Sequence, residues 1–111
     1  MADTPTSIAI FALQGRLDSV SAPARERELQ ELLNTGVARL VIDLVDLSYL
    51  SSAGLRVLLV AAKGCRSAGG QAVLVGPQAG VSQVLQMSGF DRLLKVYPDR
   101  DSALAGLNST S

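Results

Sequence analysis

The 111-residue chain predicts a single α/β domain: a mostly parallel sheet of four to five strands with about four helices packed on it. Three observations predict this. Short apolar runs alternate with longer segments whose apolar residues recur at helical spacing, the pattern of successive strand–helix units. Gly and Pro stand at most of the junctions. Apolar residues make up 48% of the chain, which argues for one packed core and against disorder. A chain of this size buries roughly two-thirds of its unfolded surface on folding. No repeat or linker interrupts it. Crossovers in such a fold are right-handed, so polar loops at the carboxyl ends of the strands form the expected binding edge.

The elements follow in order. Ile8 to Leu13 is an apolar, β-compatible run, and Gly15-Arg16-Leu17-Asp18 reads as a turn or bulge after it. Pro23 suits the first turn of a helix. Leu29, Leu32 and Leu33 give that helix a buried stripe, and Arg25, Glu26, Arg27, Glu28 and Glu31 give it a solvated face. Gly36 closes it as a C-terminal cap. Leu40 to Leu44 is short and apolar enough for a buried parallel strand. Val45 to Ser52 reads as a polar loop. From Leu55 the period changes: Leu55, Leu58, Leu59 and Ala62 fall on one helical face. Gly69-Gly70 stops that helix. Ala72 to Val75 is a buried strand ended by Gly76-Pro77. Val81, Val84, Leu85 and Ser88 mark a third helix closed by Gly89, with Met87 expected in the core. Phe90 and Leu93-Leu94 return the chain to the sheet, where Lys95 to Tyr97 is the last strand. Asp99 or Asp101 caps a final helix carrying Ala103, Leu104 and Leu107. Residues 1–7 and 108–111 read as frayed tails.

Composition removes several function classes. Ten basic and ten acidic residues balance, so no basic field points to direct nucleic-acid binding. No apolar run approaches the ~20 residues of a membrane span. The start, MADTPTS, has no basic segment leading into an apolar one, so it is no signal peptide, and a cytoplasmic setting is expected. Cys65 stands alone, which suits a reducing compartment. The chain has no histidine. That excludes Ser-His-Asp and Cys-His catalysis and the commonest zinc ligand, and no metal or cofactor is expected. No Walker-type phosphate loop occurs, and Gly64, Gly69 and Gly70 do not make a dinucleotide fingerprint. Leu50 to Gly54 lacks the first glycine of a hydrolase elbow. With no base–nucleophile pair in view, an enzyme is not expected.

The expected edge gathers Asp18, Asp43, Asp46, Ser51, Ser52, Gly76 and Pro77. Its centre is the serine pair delivered to the first turn of the middle helix. The first N–H groups of a helix lack intrahelical partners, and the aligned peptide dipoles place partial positive charge there. A serine at this point is a natural N-cap, and a phosphate on it is favoured by the same field. Local chemistry leaves both roles open for Ser51 and Ser52. Asp43 and Asp46 suit loop caps or a partner encounter better than a metal.

At this point the residues resemble the STAS domain, and within it the bacterial anti-sigma factor antagonists. Gly15-Arg16-Leu17-Asp18 resembles the family's early G-x-L-D. Val41 to Leu44, followed by Leu47 to Leu55, resembles its central signature, commonly D-S-S-G-L at the core. Val75-Gly76-Pro77, Met87 to Phe90 and Val96 to Asp99 resemble later landmarks. The resemblance implies a protein that binds a kinase-type anti-sigma factor and displaces a sigma factor from it. The kinase then phosphorylates a serine at the start of the central helix, and a phosphatase reverses the mark. Aligned on Gly54-Leu55, the phosphoacceptor falls on Ser52, with Ser51 as the alternative where the family carries aspartate, and Ala53 replaces the second serine. The implied partner surface is Asp18, Asp46, Tyr49, Leu50, Ser51, Ser52, Ala53, Gly54, Leu55 and Arg56. Leu50, Leu55 and Tyr49 serve equally as core residues on local pattern, and Asp18 as a solvated turn residue. Two other roles stay open: a STAS subunit of another assembly, such as a stress-sensing complex or a lipid-transport ATPase partner, or a module binding small anions or nucleotides.

Overall fold

The computed structural model describes residues 8–109. Along them run β1 Ala9–Ala12, β2 Gly15–Leu17, α1 Ala22–Leu33, β3 Arg39–Asp43, β4 Leu47–Leu50, α2 Ser52–Ser67, β5 Gln71–Val75, α3 Ala79–Ser88, α4 Phe90–Leu93, β6 Lys95–Tyr97 and α5 Arg100–Ser109. The expected α/β architecture is present. β1, β3, β5 and β6 form a four-stranded sheet in the order β1-β3-β5-β6, and each neighbouring pair is parallel.

The central strands are apolar almost throughout because helices cover both faces. Leu40, Ile42, Ala72 and Leu74 point into the larger core, with Leu29 of α1, Val57, Leu58 and Ala61 of α2, and Val81 and Leu85 of α3. Val41, Val73 and Val75 point the other way and pack on Ala103 and Leu107 of α5. The junctions behave as their residues dictate. Pro23 sits in the first turn of α1. Gly36, Gly69 and Gly89 follow helix ends with φ of 93°, 88° and 79°, a region open to glycine at little cost. Asp99 caps α5, its carboxylate accepting the Ser102 N–H at 2.8 Å.

Five expectations need correction. Of the expected turn or bulge at Gly15–Leu17 the structure shows a strand with a bulge in its pairing, not a turn, and Leu47–Leu50 is a strand inside the expected loop; the two pair in parallel as a second, two-stranded sheet. The register passes from Gly15–Leu47 to Arg16–Tyr49, so Ser48 is an extra residue in β4. That slip lets Leu47 and Leu50 both be buried, which ordinary alternation forbids. The buried face of α2 is Gly54, Val57, Leu58, Ala61 and Cys65. Of the expected stripe only Leu58 lies on it, while Leu55 and Ala62 pack at its margin. Arg56, Lys63 and Arg66 are exposed together on the other side, and the expected stripe lies one residue out of phase with the buried face. Met87 is 80% exposed and not a core residue. Asn108 and Ser109 continue α5 and are not a frayed tail. Residues 1–7 and 110–111 of the expected tails lie outside the described residues. The short helix α4 was not expected.

Candidate docking rim at the start of the central helix

β4 delivers the chain to α2 at Ser51, whose backbone is still extended (φ −100°, ψ 177°). Its side-chain oxygen accepts the Gly54 N–H at 3.3 Å. Its hydroxyl donates to the Leu17 carbonyl at 3.2 Å, which also accepts the Ser51 N–H at 3.0 Å. Ser51 is therefore the N-cap, and it ties α2 to the end of β2. Ser52 is the first residue of α2 and is exposed. Its hydroxyl makes no hydrogen bond among the described residues. The two serines left equivalent by local chemistry are thus divided: one is committed to the fold, the other stands free at the positive end of the helix dipole.

Gly54 makes this junction possible. A Cβ there would lie 2.6 Å from Leu50 Cδ1, 2.8 Å from the Leu17 carbonyl oxygen and 2.9 Å from Leu17 Cγ. Only hydrogen fits where the first turn of α2 rests on the small sheet. Leu17 and Leu50 are 1% and 3% exposed. Leu50 and Gly54, expected on the partner surface, are therefore buried support beneath Ser52. Ala53 and Leu55 are half-buried, and Asp46, Tyr49 and Arg56 are exposed.

Asp18 leaves β2 beside this junction. One carboxylate oxygen accepts the N–H groups of Val20 and Ser21 at 3.0 and 3.1 Å. The Ser21 hydroxyl accepts the Asp18 N–H and donates to the Arg16 carbonyl at 2.7 Å. These bonds to the charged form, the Ser21 N–H foremost, hold the Asp18 carboxyl below the usual carboxylate range against the opposing cost of desolvation. Asp18 shapes the turn that starts α1. Arg16 sits above the Tyr49 ring, its guanidinium carbon 4.1 Å from the centroid, and its Nε is 3.6 Å from the second Asp18 oxygen. The small sheet thus brings Arg16, Asp18 and Tyr49 to one surface next to Ser51. Arg16 was missed as a site residue; its register opposite Tyr49 depends on the unexpected strand pair.

Between α1 and the start of α2 lies a groove of about 420 Å³ lined by Ala22, Glu26, Arg27, Gln30, Ala53 and Arg56, among others. Arg56 Nε stands 3.6 Å from Glu26 Oε1 across it, so Glu26 is not simply solvated. The other expected edge residues lie apart from Ser52. Asp43 accepts the Val45 N–H at 3.0 Å on one oxygen and the Arg100 Nε and Nη2 at 2.7 Å on the other; this anchors α5 to β3. Gly76 donates its N–H to Tyr97 at 2.8 Å. Among the described residues no group of three or more His, Cys, Asp or Glu is placed to hold a metal, and no helix is long and apolar enough to cross a membrane.

The STAS domain pattern matches residues 1–103. BtrV of Bordetella bronchiseptica, named for anti-sigma factor antagonism, is 37% identical over 107 residues, covering 96% of this chain and 92% of BtrV. The crystal structure of a Thermotoga maritima protein given the same role superposes with a TM-score of 0.85 at 26% identity, over 89% of this chain and 86% of that one. SpoIIAA, solved in its unphosphorylated form, shares the fold with a TM-score of 0.80 at 18% identity, over 98% and 96% of the two chains. The same protein has been solved phosphorylated, with a TM-score of 0.67 at 19% identity, over 87% of each chain. The chain belongs to the STAS domain family, among relatives that carry the name of anti-sigma factor antagonist.

Proposed function

We propose that this protein is an anti-sigma factor antagonist that works by partner switching in the cytoplasm. It docks on a serine-kinase anti-sigma factor, frees the sigma factor, and is switched off when the kinase phosphorylates Ser52. A phosphatase resets it. The observation that carries the reading is the division between the serines: Ser51 is spent on the cap, and Ser52 is exposed and unbonded one residue later. The relatives' names favour the role, and SpoIIAA is a family member known in phosphorylated and unphosphorylated forms.

In the transfer, the γ-phosphorus of ATP bonds to Ser52 Oγ while its bond to the bridging β-phosphate oxygen breaks. ADP leaves, and the hydroxyl proton passes to a base of the kinase. The product gains about −1.5 to −2 charges and three acceptor oxygens. The antagonist's own fold accepts them, since a helix N-terminus favours a nearby anion by ~0.3–1 kcal/mol. Within a docked interface the same charge is desolvated with no counter-charge supplied by the partner, which costs several kcal/mol. Each ~1.4 kcal/mol is tenfold in affinity, so the mark dissolves the complex and spares the domain.

The docking surface in this reading is Asp46, Tyr49, Ser52, Ala53, Leu55 and Arg56, held up by Leu50, Ser51 and Gly54 and bordered by the Asp18 turn. The test is binding to the cognate kinase. Ser52→Asp should weaken the complex on the order of tenfold or more, while Ser52→Ala should bind like wild type and resist phosphorylation. Equal binding by both variants, with phosphate still incorporated into Ser52→Ala, would remove the mechanism.

A further inference from the structure

We propose that a phosphate on Ser52 is received by Arg56, and that Arg56 leaves Glu26 to do so, so that the mark is read in the α1–α2 groove as a freed carboxylate. The inference rests on Ser52 being the acceptor and adds how the modification is felt inside the molecule.

Ser52 and Arg56 are four residues apart in one helix, which makes them neighbours on its surface. A helical side chain leans toward the N-terminus and covers the turn before its own Cα, so Arg56 reaches toward Ser52. The order is the favourable one, with the anion N-terminal to the cation. Arg56 is weakly held: its side chain is 75% exposed and its Nε is 3.6 Å from Glu26 Oε1, beyond hydrogen-bond length. A guanidinium pairs with phosphate through two parallel N–H groups, so the phosphate is the stronger partner. The exchange is ionic and makes or breaks no covalent bond.

Its consequence lies one helix away. In the unmodified protein the groove carries Glu26 against Arg27 and Arg56. Once Arg56 turns to the phosphate, Glu26 loses its partner, and the groove keeps one acidic and one basic side chain, Glu26 and Arg27, so it changes from net positive to balanced. A partner that docks over both features therefore meets added charge at Ser52 and an altered groove beside it.

The test installs phosphoserine at position 52 by amber suppression, so it needs no kinase. The ³¹P shift is then titrated in wild type, Arg56→Gln, Glu26→Gln and Arg27→Gln. Arg56→Gln should raise the phosphate's second pKa by about 0.3–0.7 unit. Glu26→Gln, by releasing Arg56, should lower it by about 0.1–0.3 unit, and Arg27→Gln should leave it within about 0.1 unit. Arg27 and Arg56 are exposed and Glu26 is half-buried outside the core, so the fold is kept. Identical curves for wild type and Arg56→Gln would overturn the proposal. So would an Arg27→Gln shift as large as that of Arg56→Gln, or a Glu26→Gln curve that does not move downward. If a kinase never modifies Ser52, the functional reading fails while this titration still reports on Arg56.

Discussion

Gly54→Ala is the sharpest probe of how the junction is built. In an exposed helix the change would stabilise by about 1 kcal/mol, because alanine is the better helix former. Here the new methyl would stand within 3 Å of Leu50 Cδ1, Leu17 Cγ and the Leu17 carbonyl oxygen. The Leu50 methyl is the end of a side chain, but the carbonyl is backbone and accepts both Ser51 bonds. The start of α2 must lift off the small sheet or Leu17 must move. Overpacking of this kind costs about 1–3 kcal/mol; with the rigid contact placing it in the upper half, the net loss is about 1–2 kcal/mol after the propensity gain. For a domain of this size that lowers Tm by roughly 4–9 °C. Gly64→Ala in the same helix is the control. The three atoms nearest its Cβ would all be Leu33 side-chain carbons, at 2.7, 3.3 and 3.5 Å, and the half-buried Leu33 can turn away, so the net change should be within about 1 kcal/mol. Urea and thermal unfolding of both variants give the comparison. A Gly54→Ala protein as stable as wild type, or a Gly64→Ala protein that loses more, would refute the packing argument.

Other predictions separate the remaining roles. Ser51→Ala should lose about 0.5–2 kcal/mol with its cap, whereas Ser52→Ala should stay within about 0.5 kcal/mol of wild type, both by urea unfolding. Asp18→Asn should be less stable than wild type at neutral pH. The folded Asp18 pKa is depressed, so its contribution is present above the unfolded value of about 3.9. It is lost as pH falls through the folded value, and the two unfolding curves should converge in acid. Cys65 is fully buried, and desolvation pushes its thiol up to about 11. The folded protein should resist alkylation at pH 8 and react once unfolded. Its contribution to stability is complete below the unfolded pKa of about 8.5 and declines as pH climbs toward about 11.

The main sheet was legible because its signals are local. β3 and β5 lie on short apolar runs, the first, Leu40 to Leu44, broken only by Asp43, bounded by Gly36, Gly69-Gly70 and Gly76-Pro77, and Pro23 announces α1. The small sheet was not legible, because Gly15–Leu17 is three residues long and Ser48 breaks the alternation in β4. The phase of α2 was marked by Arg56, Lys63 and Arg66, which share its exposed side, but the expected stripe falls one residue off because Gly54 sits on the buried face without an apolar side chain. The position of the serine pair could be read from the change of period at Leu55, but its division of labour could not. That depends on the Leu17 carbonyl, 34 residues before Ser51. The Asp43–Arg100 and Glu26–Arg56 pairs are likewise tertiary, joining elements that sequence spacing does not bring together.

The central claim concerns which of two adjacent hydroxyls is chemically available. Incubation with the cognate kinase and ATP, followed by fragmentation mass spectrometry that localises the phosphate, decides it. Wild type and Ser51→Ala should carry one phosphate on Ser52, and Ser52→Ala should carry none. Phosphate found on Ser51, or retained when Ser52 is removed, would contradict the account.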